Sequence, residues 1–257
     1  MLAVERHARI LDTVQARQVV STEELSQSLA VSIETIRRDL VQLGRQGSLR
    51  RVHGGAAAAS AFASAEVAFE DRTGIASEGK AAIGAIASGL VESGQTIVFD
   101  VGTTVLEAAR ALPASFTGTV ATCSLLVAAE LAGRPHIELL VAGGRVRGGD
   151  LAVSNADTVR FFADLHPDVA FLGSGGVSVE AGLTDFFPDE IATRRVMLAN
   201  AVRSYVLADA SKLRRVAPHG VCGLDELSAL ITDRTPPAAL QTAADRAGMD
   251  ILTPPAA

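Results

Sequence analysis

A group of polar residues near the start of the chain has the chemistry needed to bind nucleic acid. Guanidinium groups form paired hydrogen bonds with guanine edges and with phosphates, and hydroxyl or amide groups add contacts in the major groove. The candidates occupy two adjoining stretches of sequence, and they are Ser32, Glu34, Thr35, Arg37, Arg38, Gln42, Arg50, Arg51 and His53. These residue types and their spacing predict a DNA-binding surface.

The helix that would position the first stretch follows from the apolar pattern. Apolar side chains recur at intervals of three and four, so we expect one buried face formed by Ile33, Ile36, Leu40 and Leu43. Ser32 is a suitable cap for the first turn of this helix. The polar residues between the apolar ones would then point outward.

Two further helices and a hairpin complete the predicted N-terminal domain. Residues 5–17 have an amphipathic pattern, and a Ser21-x-x-Glu24 capping box would open a helix over residues 22–30. The basic residues Arg50, Arg51 and His53 would lie on a short hairpin before a glycine pair. Three helices and a basic hairpin predict a winged helix-turn-helix domain, which we assign to residues 1–56.

The charge distribution favours DNA binding over the alternative, a solvated face of a small helical bundle. Residues 1–55 contain eight arginines and six carboxylates, a net charge of +2. The whole chain carries −6, so the remainder carries −8. Attraction to DNA is therefore confined to one end of the chain. A dimer or tetramer would present several such ends, and we expect a homo-oligomer.

The rest of the chain has the pattern of an α/β domain. Residues 57–77 begin in an alanine- and serine-rich stretch and are assigned as a linker. From residue 78 to 257, helical and strand patterns alternate, which predicts a parallel sheet covered by helices. Small and polar residues follow the predicted strands 96–99, 137–141, 169–172, 204–207 and 229–231 and the strand ending at 122. Because open α/β sheets bind ligands at the carboxyl ends of their strands, we expect a ligand site there.

The stretch D-V-G-T-T, residues 100–104, is the best candidate for an anion-binding turn. A helix that starts here would present free N–H groups and a favourable dipole to an anion. Gly102 permits close backbone approach, and Thr103 and Thr104 offer two hydroxyl donors. A purely structural turn with a capping threonine is an equal alternative for this motif alone.

Lys80 and Lys212 are the two lysines of the chain, which has 21 arginines. A lysine suits a phosphate because its ammonium group is a compact point charge on a flexible stem. Both are therefore candidates for a charge contact with an anion. A plain surface position is the alternative for each.

Several other classes of protein are disfavoured by the sequence. No apolar stretch is long enough to cross a membrane, and the charged N-terminus lacks a signal-peptide pattern, so we expect a cytoplasmic protein. Cys123 and Cys222 have no metal-ligand spacing and are expected to be buried thiols. We expect neither a metal nor a cofactor.

The N-terminal motifs resemble those of the DeoR-type bacterial transcriptional regulators. That family has V-S-x-x-T-I-R-R-D-L followed by G-x-L-x-R-x-H-G-G-A, and both halves match here position for position, over residues 31–40 and 47–56. The resemblance implies that Thr35, Arg37 and Arg38 read double-stranded operator DNA. It also implies that Arg50, Arg51 and His53 belong to the wing.

The resemblance extends over the C-terminal half. In that family this domain resembles ribose-5-phosphate isomerase and binds a phosphorylated sugar or related metabolite that alters DNA binding. The resemblance implies phosphate binding by Gly102, Thr103, Thr104 and Lys80, hydroxyl recognition by Asp100, Ser124 and Asp185, and a charge contact from Lys212. Other positions of the family motifs fall on Thr122, Cys123, Gly143, Gly144 and Gly175. Cys123 stands where the family usually has asparagine, which implies a changed sugar preference.

Three functions are compared on these grounds. A ligand-responsive transcription factor, expected to be a repressor of a carbohydrate-metabolism operon, accounts for both halves of the chain. A sugar-phosphate isomerase-like enzyme fused to a DNA-binding module would need a carboxylate base, and residues 173–178, G-S-G-G-V-S, contain none. A nucleotide-sensing regulator would need G-x-G-x-x-G, and Ser178 interrupts that pattern. We therefore expect a regulator without catalytic residues.

Overall fold

The computed structural model describes residues 3–17, 19–45, 48–52, 54–58, 66 and 68–255. The N-terminal unit consists, in chain order, of α1 (Ala3–Arg17), β1 (Val19–Ser21), α2 (Thr22–Leu29), α3 (Ile33–Arg45), β2 (Leu49–Val52) and β3 (Gly55–Ala58). The predicted helices and basic hairpin are confirmed by these elements. The capping box is confirmed too, because the Glu24 N–H donates to Ser21 Oγ at 3.1 Å and the Ser21 N–H donates to Glu24 Oε2 at 3.0 Å.

The hairpin belongs to a larger antiparallel sheet than expected. In the described residues 19–58 the strand order is β1-β3-β2, with Val20 opposite Ala56 and Ser21 opposite Gly55. Strand β1 has only three residues, which is too few to show the alternation of apolar and polar residues that predicts a strand. A Cβ on Gly55 would lie 2.2 Å from the Val20 carbonyl oxygen, so this close approach of the two strands requires glycine.

The core of the N-terminal unit confirms three of the four apolar positions predicted on α3. Ile36, Leu40 and Leu43 are buried together with residues of α1 and α2. The prediction for Ile33 is wrong, because its side chain is 37% exposed. Ile33 is the first residue of the helix. It shares the face of Leu40 but lies two turns away, at a helix end that the packed cluster does not reach.

The second unit has the expected alternation of helices and strands. Its first part contains α4 (Phe69–Gly74), α5 (Ser77–Ser88), β4 (Thr96–Phe99), α6 (Thr103–Ala111), β5 (Gly118–Thr122), α7 (Leu125–Leu131), β6 (Ile137–Val141), β7 (Arg145–Val146), β8 (Val153–Ser154) and α8 (Ala156–Ala163). Its second part contains β9 (Val169–Leu172), β10 (Gly176–Ser178), β11 (Gly182–Asp185), α9 (Pro188–Asn200), β12 (Arg203–Leu207), β13 (His219–Cys222), β14 (Ala229–Ile231), α10 (Ala238–Ala247) and β15 (Asp250–Leu252).

The main sheet is parallel, which confirms the predicted fold class. Across the part of the chain that the structure describes, the strand order is β15-β14-β12-β9-β4-β5-β6. The chain runs outward from β4 through β5 to β6, returns to β9 beside β4, and then continues outward on the other side. The sheet therefore has a topological switch point between β4 and β9. Ligands of open α/β sheets bind outside the carboxyl ends of the strands at such a point.

Apolar side chains cover both faces of this sheet. Phe99, Phe171 and Tyr205 stack in a row across one face, with ring centroids 5.3 and 5.7 Å apart. A second cluster, which includes Val98, Ala170 and Val206, covers the other face. The alternation of side chains along each strand produces these two faces. They hold the carboxyl ends of the central strands in fixed positions.

The expected linker, residues 57–77, has more structure than its composition suggested. Ala57 and Ala58 pair with β2 as part of β3. Helix α4 also falls within this range, and α5 begins at its last residue. The sheet pairing thus reaches past residue 56, and the domain boundary at that residue stays a prediction.

Candidate functional site

The exposed face of α3 carries the residues expected to read DNA. The side chains of Arg37 and Arg38 are 61% and 80% exposed, and Gln42 is exposed as well. Glu34 lies between the two arginines, with its carboxylate oxygens 3.9 Å from Arg37 Nη1 and 3.7 Å from Arg38 Nε. Exposed ion pairs of this length are weak. Both guanidinium groups are therefore available to a nucleic acid.

The first turn of α3 uses two of the candidate residues in its own structure. Ser32 Oγ accepts a hydrogen bond from the Thr35 N–H at 3.2 Å, and the two hydroxyl oxygens are 2.9 Å apart. The predicted cap is thereby confirmed. In the wing, the backbone of Arg50 and Arg51 forms part of β2, whereas His53 lies outside the described residues.

A buried carboxylate fixes α3 against α1, and the sequence analysis did not identify it. Asp39 accepts hydrogen bonds from Arg6 Nε at 2.6 Å and Arg6 Nη2 at 3.0 Å, and His7 Nε2 lies 2.9 Å away. Burial opposes the charged carboxylate, but the hydrogen bonds from Arg6 and His7 lower the pKa of Asp39 below its ordinary value. The orientation of the recognition helix therefore depends on a charge inside the N-terminal unit.

A polar cleft lies at the switch point of the sheet. Asp100 follows β4, Gly173 follows β9, and the Gly173 N–H donates to Asp100 Oδ2 at 2.9 Å. The residues expected to bind a ligand that line this cleft are Gly102, Thr103, Thr104, Asp185 and Lys212. Gly102 has a φ of +125°, which favours glycine, and it directly precedes α6. The structure thus brings the candidate anion-binding turn, a carboxylate and a lysine together.

A buried arginine lies against this cleft, and the sequence analysis missed it. Arg194 on α9 is 2% exposed and donates to Asp100, Asp185 and Glu190, with a distance of 3.0 Å to Glu190 Oε2. Burial opposes its charge, but the three carboxylates raise the pKa of Arg194 above its ordinary value. Asp100 and Asp185, expected to bind sugar hydroxyls, are thus first of all the counter-ions of Arg194. We refer to these four residues as the Arg194 cluster.

Glu190 connects the Arg194 cluster to a second arginine. Its other carboxylate oxygen contacts Arg147, which also pairs with Asp150 and stacks over the Phe187 ring, with 3.6 Å between the guanidinium carbon and the ring centroid. The pKa of Glu190 is raised to about 7, mainly by burial and also by the carboxylates of Asp185 and Asp100, while Arg194 and Arg147 oppose the shift.

This shift leads to a prediction about pH. Because the pKa of Glu190 is about 7 in the folded state and ordinarily near 4.5, the folded protein binds this proton more tightly than the unfolded chain does. Protonation of Glu190 therefore contributes fully to the stability of the fold below about pH 4.5, and this contribution is lost as the pH rises through about 7. Relative to Glu190→Gln, the unfolding free energy of the wild type should fall by about 1 kcal/mol per pH unit over this range. Urea unfolding followed by Tyr205 fluorescence measures it.

A suitable control for this prediction is Glu180→Gln, which removes an exposed carboxylate outside the cleft. Its unfolding free energy should follow the wild-type pH profile. Parallel profiles for the wild type and Glu190→Gln would contradict the prediction.

The two lysines have different surroundings. Burial, Arg215 and Arg72 lower the pKa of Lys212 to about 8, and Glu66 opposes that shift. Lys80 is not part of the cleft lining, and its role as a phosphate ligand stays a prediction. Lys80 is buried on α5, and its ammonium group donates to the carbonyl oxygen of Arg72. It acts on the cleft by holding Arg72, which does line it.

The residues after β5 shape a turn beside the cleft. The Ser124 N–H donates to Thr122 Oγ1 at 3.0 Å, and Ser124 Oγ accepts from the Val127 N–H at 3.3 Å as the cap of α7. The expectation that Cys123 is a buried thiol is confirmed, and its Sγ lies 3.9 Å from Asp100 Oδ1. Cys222 is half-buried rather than buried. None of residues 122–124 lines the cleft in the described structure.

The remaining glycine candidates act through the backbone. The Gly143 carbonyl accepts a hydrogen bond from Thr158 Oγ1 at 2.9 Å, and Gly144 follows it in the turn before β7. The Gly175 N–H donates to the Thr184 carbonyl at 3.0 Å, which places Asp185 at the cleft. These three glycines do not line the cleft themselves.

Sequence reasoning also missed several residues that line or border the cleft, namely Glu66, Arg72, Arg147, Asp150, Glu190 and Arg194. One signal was available, because Glu190 and Arg194 are four residues apart and this spacing places two residues on the same face of a helix. Within the described residues, no group of three His, Cys, Asp or Glu side chains could hold a metal ion. No helix in that part of the chain is long and apolar enough to span a membrane.

A winged helix-turn-helix unit with free arginines, joined to an α/β domain with a charged cleft at its switch point, defines a two-domain DNA-binding regulator. Family models agree with both units: the "DeoR-like helix-turn-helix domain" matches residues 6–62, and the "DeoR C terminal sensor domain" matches residues 75–234. The chain therefore belongs to the DeoR family of transcriptional regulators.

Similar proteins extend over nearly the whole chain. The HTH-type transcriptional repressor CsqR of Escherichia coli (strain K12) is 32% identical over 97% of this chain and 95% of its own length. The glycerol-3-phosphate regulon repressor of the same strain is 32% identical over 92% of this chain and 93% of its own length. The repressor GlcR of Bacillus subtilis (strain 168) is 32% identical over 98% of this chain and 96% of its own length. Among solved structures, ribose 5-phosphate isomerase A from Methanocaldococcus jannaschii has a TM-score of 0.40 and 20% identity, over 54% of this chain and 55% of that chain.

Proposed function

We propose that this protein represses a carbohydrate-metabolism operon and that a phosphorylated sugar bound in the cleft releases it from operator DNA. The observation that carries the proposal is the convergence of Gly102, Thr103 and Thr104, at the start of α6, with Lys212 in one cleft at the switch point. Backbone N–H groups at a helix start, hydroxyl donors and an ammonium group suit a phosphate. The name of one relative, the glycerol-3-phosphate regulon repressor, supports the same class of effector.

We also propose that the protein has no catalytic activity. Proton abstraction in a sugar-phosphate isomerase needs a carboxylate that is free to accept a proton. Each carboxylate that lines the cleft in the described structure is ion-paired: Asp185 and Glu190 with Arg194, Asp150 and Glu190 with Arg147, and Glu66 with Arg72. Incubation with ribose 5-phosphate, followed by NMR, should give no ketose product. A homo-oligomer stays a prediction, which light scattering with and without operator DNA would check.

The test of the proposed effector is a gel-shift titration on the DNA upstream of the gene. A panel of sugar phosphates is added, together with the corresponding free sugars and NADH. We expect one sugar phosphate to release the DNA and its free sugar to have no effect. Release by the free sugar or by NADH would contradict a phosphorylated effector.

Thr103→Val is the matching test of the cleft. It removes a hydroxyl donor while keeping the shape of the side chain, and a lost hydrogen bond to a charged group costs about 1.5–3 kcal/mol. The dissociation constant for the effector should rise by about 10- to 100-fold, whereas the affinity for operator DNA should not change. Thr117→Val, at an exposed position outside the cleft, is the control. Equal effector affinities in Thr103→Val and Thr117→Val would contradict the assigned site.

A further inference from the structure

Glu66 lies inside the cleft although it comes from the segment between the two domains. Its side chain is only 11% exposed and forms an ion pair with Arg72, whose side chain is 12% exposed. Both residues line the cleft together with Thr103, Thr104 and Lys212. In sequence, Glu66 stands between the last strand of the N-terminal unit and α4. A carboxylate from the interdomain segment is thus next to the groups expected to bind a phosphate.

The charges of the cleft fall into two separate sets. Arg194 is neutralised by Asp100, Asp185 and Glu190, and a second arginine by Asp150 and Glu190. Arg72 and Lys212 are the cations left over. The direct carboxylate partner of Arg72 in the described structure is Glu66, and the same carboxylate raises the pKa of Lys212 by electrostatic attraction. Glu66 is therefore the counter-ion of the two cations that an anionic ligand would use.

The Glu66 carboxylate does not fully satisfy the cations around it. Burial raises the pKa of Glu66 above its ordinary value in spite of Arg72, Lys212 and Arg194, which lower it. Arg72 Nε is buried and has no hydrogen-bond partner among the described residues. A buried donor without an acceptor is costly. A phosphate monoester, with three acceptor oxygens and nearly two negative charges, would satisfy these cations better than one carboxylate does.

The space in the cleft is too small for a sugar phosphate while Glu66 and Arg72 fill it. With Glu66 and Arg72 in place, its open volume is about 30 Å³. This is room for two or three water molecules, since each needs roughly 10–15 Å³. A sugar phosphate is far larger, so a group that lines the cleft must leave before such a ligand can enter.

We infer that Glu66 occupies the position of the effector phosphate, so that the effector and the Glu66 carboxylate exclude each other and binding of the effector expels Glu66 from the cleft. The inference rests on the proposed function, because it takes the cleft as the effector site. A ligand that displaces Glu66 moves a residue that precedes the sensor domain in the chain. The effector signal would thereby reach the segment that leads to the DNA-binding unit.

The experiment compares Glu66→Gln with the wild type by calorimetric titration of inorganic phosphate, glycerol 3-phosphate and ribose 5-phosphate. Glutamine keeps the shape and the hydrogen-bonding oxygen but removes the competing charge. The amide also loses the ion pair with Arg72 that holds the carboxylate in the cleft, so we expect it to be outside the cleft most of the time. If the carboxylate occupies the phosphate position about nine-tenths of the time, the dissociation constant should therefore fall by about tenfold. Glu66→Asp, which shortens the carboxylate by one methylene, should give an intermediate value and serves as a second variant should Glu66→Gln fail to fold.

Glu70→Gln is the matched control, because it makes the same change at an exposed position of α4 in the same segment. Its dissociation constants should stay within about twofold of the wild type. Unchanged or weaker phosphate binding by Glu66→Gln, with binding by the wild type, would overturn the competition and leave the proposed effector site intact. Failure of every protein to bind all three probes would instead overturn the phosphorylated effector, and the competition with it.

Discussion

Replacement of Arg37 and Arg38 by alanine together is expected to abolish operator binding under conditions in which the wild type binds. Both side chains are exposed on α3 and make only long contacts with Glu34, so their N–H groups are available to donate hydrogen bonds to DNA. A good arginine contact with a base contributes about 1–3 kcal/mol, and two together predict a loss of at least about 30-fold in affinity. Fluorescence anisotropy with labelled operator DNA, at several salt concentrations, measures the loss and the change in salt dependence.

The control for this variant removes two arginines of equal charge from the sensor domain. Arg160 and Arg234 have side chains that are 71% and 78% exposed. Their replacement by alanine changes the net charge by the same amount, so operator affinity should hardly change. The effector should still bind to the Arg37 and Arg38 variant. A similar loss of affinity in both double variants would show that overall charge, rather than the exposed face of α3, controls binding.

The second large effect is expected from Arg194→Met, which leaves the buried carboxylates of Asp100 and Asp185 without their cation and Glu190 with Arg147 alone. Removal of one partner of a buried ion pair typically costs about 3–5 kcal/mol, because the remaining charge stays buried and unpaired. Methionine preserves much of the apolar stem, so the loss of charge dominates. Tyr205 is the one tyrosine in a chain without tryptophan, and it is buried in the sensor domain. Its fluorescence during urea unfolding therefore reports the stability of this domain.

Arg160→Met is the comparison for the stability measurement. Arg160 forms an exposed ion pair with Asp157 at 2.9 Å on α8, and such pairs contribute about 0–1 kcal/mol. Its unfolding midpoint should stay near that of the wild type. An equally small effect of Arg194→Met would mean that the Arg194 cluster does not hold β4, β11 and α9 together.

Local patterns were enough to predict the three N-terminal helices and the strands β4, β5, β6, β9, β12 and β14 of the main sheet. The Ser21 and Glu24 capping box and the apolar spacing of α3 involve neighbours within a few residues, and both predictions are confirmed. Ile33 was wrong because periodicity defines a helix face but not how far along that face the core extends. Strand order is a long-range property, so the switch point could be located only from the structure.

The site was less predictable than the fold for the same reason. The turn at residues 100–104 is a local motif, and the structure places Gly102, Thr103 and Thr104 in the cleft. Arg194 is separated from Asp100 by 94 residues, and no local pattern joins them. Glu66 lies beside an alanine- and serine-rich stretch, and this composition indicated only a linker. Residues that meet through the fold rather than along the chain are those that the sequence analysis missed.

The pairing of β1 with β3 restricts how this repressor can be switched off. Strand β3 is bonded on one side to β2, which carries the wing arginines, and on the other to the residues that lead into α2. Because Gly55 closely approaches the Val20 carbonyl oxygen, the wing strands and the strand before α2 are joined in one sheet. An effector of the kind proposed above would then have to reposition the N-terminal unit as a whole. We do not expect it to move the wing away from the DNA while α3 stays bound.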